Sequence, residues 1–136
     1  MNRDDFKEIA CIRFEEARVL LDNQRYDGAY YLSRYVIECG LKACIAKRVK
    51  EFEFPDKKLA NDCYTHNLEN LIKTAGLETD LKNELKKQNF KFNWVVVKDW
   101  TEESRYQKHL EQVARDIYSA IADQGNGVFE WVKRHW

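Results

Sequence analysis

Arg105 and His109 lie four positions apart, a spacing that on a regular helix sends a guanidinium and an imidazole out of one face. Such a pair can hold a phosphate and move a proton. Cleaving RNA without a metal takes a base for the 2'-hydroxyl, an acid for the leaving oxygen and a cation for the phosphorane. His and Arg cover those tasks if a dimer brings two sets together. The spacing equally fits a plainer arrangement, with Arg105 paired to Glu102 and His109 at a solvent or interface edge. A second polar set is Arg34, Glu38 and Lys42, charges of alternating sign at i, i+4 and i+8, with Tyr31 and Tyr35 beside them. That strip is either a ligand surface or a device that fixes helix register. His66 follows Thr65 and is expected to settle over a helix start, and His135 to lie at the surface or in a final docking face. No phosphate-cradling glycine loop, no H-E-x-x-H and no His/Cys cluster at metal spacing occurs, which disfavours nucleoside triphosphate hydrolysis and zinc catalysis. No metal and no cofactor is expected.

The element that must carry the strip runs from Arg25 to Lys50, RYDGAYYLSRYVIECGLKACIAKRVK. At 100 degrees per residue, Ala29, Leu32, Ser33, Val36, Ile37, Gly40, Leu41, Ala43 and Cys44 cover most of its circumference with small or apolar groups, so it belongs in a core. Charges set into such a helix need partners. Before it, a helix over Asp4 to Asn23 turns Phe6, Ile9, Ala10, Ala17, Leu20 and Leu21 inward, with acids favourable at its start. The short connection makes the two antiparallel, and Asp27 is expected to cap the second.

Glu51 to Thr65 lacks a period and reads as a long crossover or a lid. Thr65 is expected to cap a short helix ending at Gly76, and Thr79 to open another carrying Leu81 and Leu85. Trp94 to Trp100, WVVVKDW, has strand-like composition. A lone strand has nothing to pair with among helices, so helix or irregular link is expected. Thr101 is expected to open the last long helix, with Leu110, Val113, Ala114, Ile117 and Ile121 inward. Gly125 ends it, and Asn126 caps a final docking helix. The fold class is all-α, an up-and-down four-helix-type bundle with additional short helices, in one domain over 1–136.

Composition narrows the function. Lys plus Arg and Asp plus Glu are each 23, a balance that does not support broad electrostatic gripping of a duplex. The one basic cluster, Lys82, Lys86, Lys87 and Lys91 beside Phe90, Phe92 and Trp94, is either a stacking surface for single-stranded RNA or a solvated lysine face over core aromatics. Four cysteines without C-x-x-C pairing point to a reduced, cytoplasmic protein. The acidic N-terminus and the absence of a long apolar run give no export signal and no membrane span.

Taken in order, RYDGAYYLSRYVIECGLKACIAK, THNLENLIKTAGL, the NW, DW and SRY elements and NGVFEWVKRHW resemble the HEPN family of small helical prokaryotic domains, from about Phe14 to Trp136. The resemblance implies an up-and-down bundle, a homodimer, and a nucleotidyltransferase-fold partner in toxin and antitoxin pairs. Catalytic members are metal-independent endoribonucleases with an Arg and a His near the start of a late helix. In those members more residues separate the two than the three, Tyr106, Gln107 and Lys108, found between Arg105 and His109. Glu38 matches the family's acidic position on the second helix, where the resemblance would let it meet Arg105 across the core.

The first functional expectation is therefore an accessory binding protein that takes nucleotide or RNA around Tyr31, Arg34, Glu38, Lys42 and Arg105. The second is an endoribonuclease toxin using Arg105 and His109. A third is a scaffold whose polar strip only sets register.

Overall fold

The structure is a computed structural model and describes residues 1–52, 61–99 and 108–136. All its regular elements are helices: α1 (Arg3–Asp22), α2 (Tyr26–Phe52), α3 (Leu68–Thr74), α4 (Glu78–Glu84), α5 (Gln88–Lys98), α6 (Glu111–Ala122) and α7 (Val128–Lys133). Four longer helices, α1, α2, α5 and α6, form the bundle, and α7 packs on it at Gly40 of α2.

Helix α1 starts on a capping box. The Asn2 side chain accepts from the Asp5 N–H, and the Asp5 carboxylate accepts from the Asn2 N–H, both at 2.9 Å, which satisfies two donors that a helix start leaves open. A turn with Gln24 at φ +62° sends α2 back along α1. The antiparallel register shows in Leu20 against Gly28 near the turn and in Arg3 and Lys7 facing Cys44 at the far end.

Helix α2 is the hub, packed against α1, α3, α6 and α7. Ala29, Val36, Ile37, Leu41, Ala43 and Ile45 are buried along it. At Gly40 the absence of a side chain sets the packing distance, because a Cβ there would stand 2.7 Å from Val132 Cγ1. Helix α7 thus lies directly on the α2 backbone, with Trp131 tilted against Phe90 of α5 and Phe129 against Phe14 of α1.

The WVVVKDW segment resolves as helix through Lys98. Phe90, Trp94 and Val97 recur at helical spacing and are buried, whereas Val95 and Val96 face out. Helix α3 ends in a Schellman turn. Gly76 has φ +73°, its N–H donates to Lys73 O, and the Leu77 N–H donates to Ile72 O.

Several expected boundaries move. Asn67, not Thr65, caps α3, accepting from the Asn70 N–H at 3.0 Å, while Thr65 Oγ1 accepts from the Asn67 N–H. Gly127, not Asn126, precedes α7. Asp27 sits inside the first turn of α2 and does not cap it. Most consequentially, α6 begins at Glu111. Leu110 and Val113, expected inward, are exposed, and the buried face is Ala114, Ile117, Ala120 and Ile121.

Candidate functional site around Glu38

Glu38 is buried in the middle of α2, and its carboxylate is ringed by three nitrogens. Arg34 Nη1 donates to Oε2 at 3.0 Å, Lys42 Nζ donates to Oε1 at 3.1 Å, and His66 Nδ1 lies 2.8 Å from Oε1. Helical spacing brings Arg34 and Lys42 there, one turn on either side. His66 arrives from the segment ahead of α3, where the Thr65 hydroxyl and the Asn67 cap fix the backbone that carries the ring.

The three partners differ in exposure. The Arg34 side chain is 3% exposed, Lys42 20% and His66 43%. Glu38 and Arg34 form a closed floor, since a buried carboxylate is tolerable only with its oxygens satisfied, and Lys42 and His66 form a rim open to solvent. His66 Nδ1 faces Glu38 Oε1 and shares that oxygen with Lys42.

Beside the rim, the Tyr31 and Tyr35 rings stack at 6.1 Å, 8° from parallel. Burial, with Cys39 as hydrogen-bond partner, pushes the Tyr35 phenol up to about 12, so it remains a neutral donor at physiological pH. Burial likewise drives the Cys39 thiol up to about 11 against the lowering effect of the Tyr35 bond, and raises the partly buried Cys63 thiol near Lys42. These thiols are poor nucleophiles at neutral pH.

Of the expected residues, Tyr31, two turns before Glu38 on the same helix, stacks on Tyr35, while Arg34, Glu38 and Lys42 are brought together. His66, assigned only to packing from the sequence, joins them, and its signal was confined to a capping environment before Leu68. Arg105 lies outside the described residues.

His109 stands elsewhere. It precedes α6 and is not on its first turn, so the helical geometry expected to pair it with Arg105 does not hold at His109. Its N–H donates to Asp27 Oδ1 at 2.6 Å, and its ring stacks on Tyr30 at 3.9 Å between centroids. With the Tyr26 hydroxyl donating to Glu111 Oε1 at 2.8 Å, these contacts pin the approach to α6 onto the first turn of α2. The Lys82, Lys86, Lys87 and Lys91 side chains are exposed, with Phe90 and Trp94 buried and Phe92 exposed. Among the described residues no group of His, Cys, Asp and Glu is arranged to hold a metal ion, and no helix is long and apolar enough to cross a membrane.

The described helices make an all-α bundle. The HEPN domain model matches residues 4–135, and the chain belongs to the HEPN family. Among curated proteins and solved structures, none matches it. Membership supports a role related to nucleotides or RNA, or one of toxin type.

Proposed function

We propose that this protein is a HEPN-type binding module that takes a nucleotide or single-stranded RNA against the rim of the Glu38 cluster. The observation that carries the reading is the Lys42 ammonium, which reaches the surface at the edge of the cluster while it donates to Glu38 Oε1, a local positive charge on a chain that is neutral as a whole. The Lys42 ammonium has donors beyond the one given to Glu38, suited to a phosphate. The tyrosine pair supplies faces on which a base can stack, worth about 1 to 3 kcal/mol per base. Arg34 and Glu38 act as the floor that holds Lys42 and His66 in place. Arg105 enters the proposal as an additional cation, tested by Arg105→Ala.

In this reading the protein works in the cytoplasm as a homodimer beside a nucleotidyltransferase-fold partner and away from membranes. The exposed Phe92, Val95 and Val96 on one stripe of α5 favour such an association.

The test is fluorescence anisotropy of a labelled oligoadenylate at two salt concentrations. Lys42→Ala should weaken binding about tenfold, roughly 1.4 kcal/mol, with the melting temperature preserved and a shallower salt dependence. No binding by the wild type, or equal binding by Lys42→Ala, overturns the reading. Co-purification from the native host tests the partner, and a chain recovered alone counts against it.

A second reading is endoribonuclease activity, favoured by the 2.8 Å Glu38 to His66 contact, because a carboxylate-oriented imidazole suits proton transfer. Cleavage lost in His66→Ala and kept in His109→Ala would select it. Loss in His109→Ala alone would restore the Arg105 and His109 pair as the catalytic set.

A further inference from the structure

On the other side of α2 lies a shallow, solvent-open cavity of about 380 Å³, nine residues from Glu38 at Lys47 and hence half a revolution around the helix. That volume falls within the range of small-molecule sites. Its wall takes Lys47 and Arg48 from α2, the backbone turn at Gly76, and Arg134 and His135 from the end of α7, with Cys44 and Leu77 on its apolar side. No carboxylate lines it among the described residues.

Both guanidiniums are held, not merely nearby, while Lys47 is exposed. Arg48 Nη1 donates to Thr74 O at 3.0 Å and lies against Gly76, where a Cβ would stand 2.7 Å from that nitrogen. Gly76 therefore serves two needs, the left-handed turn and the close seat of a guanidinium. Arg134 Nη2 donates to Glu84 Oε2 at 2.8 Å, while Lys87 shares the same oxygen at 3.3 Å, so Glu84 does not neutralise Arg134 alone. His135 is fixed edge-on against the buried Trp131 ring at 5.1 Å.

We propose that this cavity binds a phosphate monoester, with the dianion between Lys47, Arg48 and Arg134 and the organic body along Cys44 and Leu77. Three cations, two of them fixed, and an imidazole, with one shared carboxylate behind them, match a doubly charged, oxygen-rich group, and guanidinium forks fit phosphate oxygens. The monoester belongs either to a small phosphorylated metabolite or to the 5' end of an RNA strand. The inference is independent of the Glu38 rim, since none of the rim residues lines this cavity.

Titration of isotope-labelled protein with inorganic phosphate, at constant ionic strength set by chloride, should give saturable shifts at the Gly76 and Leu77 amides. The surface variant Lys47→Ala with Arg134→Ala should weaken the response at least tenfold while keeping the wild-type amide spectrum elsewhere. No saturable shift, an equal shift with chloride alone, or an unchanged response in the double variant overturns the proposal. Should that variant fail to fold, Lys47→Ala by itself, at an exposed position, carries the same test. Ribose 5-phosphate and a 5'-phosphorylated oligoribonucleotide, each against its unphosphorylated counterpart, then distinguish the sources. Tighter binding of either phosphorylated form supports the site and names its ligand, and indifference to the phosphate on both contradicts it.

Discussion

Replacing Glu38 by Gln leaves the shape of the side chain and removes the charge on which the floor of the site depends. Arg34, 3% exposed, cannot turn to water, whereas Lys42 and His66 can. The loss should therefore be dominated by the broken charge pair between Glu38 and the buried Arg34 guanidinium, about 3 to 5 kcal/mol. Gln keeps one oxygen that Arg34 can still reach, which puts the expected cost at the lower end, about 3 kcal/mol. Against a typical domain stability of about 5 to 15 kcal/mol the variant should still fold. Its melting temperature should fall by about 10 °C, at roughly 3 to 4 °C per kcal/mol for a domain of this size. Urea unfolding at pH 7 measures the difference. The decisive companion is Arg34→Met with Glu38→Leu, which removes both buried charges and should recover most of the stability lost in Glu38→Gln. A Glu38→Gln variant within about 0.5 kcal/mol of wild type, or a double variant no more stable than the single one, would refute the buried-pair reasoning.

Gly40→Ala should destabilise by about 1 to 3 kcal/mol in urea melts, although alanine favours a helix by about 1 kcal/mol, because Val132 is already at the distance a Cβ would occupy. An equal or higher midpoint would mean that α7 shifts freely. The Cys39 and Cys44 thiols, raised by burial to about 11 and about 12, ionise more readily unfolded than folded. Their contribution is complete below about pH 8.5 and is lost as pH rises through the folded values. At pH 10.5 each should cost about 2.5 kcal/mol, so wild type should lose stability between pH 7.5 and 10.5 faster than Cys39→Ala with Cys44→Ala, and parallel pH profiles would contradict this. Asp27→Ala should speed amide exchange at His109 about fivefold, for one bond worth about 1 kcal/mol. Unchanged exchange would show that the Tyr30 stack alone holds that segment.

The strip on α2 was legible because its contacts are local. Arg34, Glu38 and Lys42 are one turn apart on a helix whose remaining surface is small or apolar, so the period fixes both their proximity and their need for partners. His66 was not legible as a partner, since its contact with Glu38 spans 28 positions and depends on how the Thr65 and Asn67 side chains shape the backbone. A capping pattern marks where a helix begins and not what the residue before it will touch. His109 failed for a related reason. Leu110 and Val113 extend the apolar period of α6 backward, yet Leu110 is 76% exposed and the helix begins only at Glu111. In α5 the period won over composition, because Phe90, Trp94 and Val97 needed one buried face and three consecutive valines did not outweigh it.

The central claim, that the Lys42 and His66 rim beside the tyrosine pair receives a nucleotide, is tested most directly by following aromatic and imidazole proton resonances during titration with adenosine 5'-monophosphate. The account predicts saturable ring-current shifts at Tyr31, Tyr35 and His66, abolished in Lys42→Ala without a change in fold. Saturation with those three rings silent, or the same shifts in the Lys42→Ala protein, would contradict it.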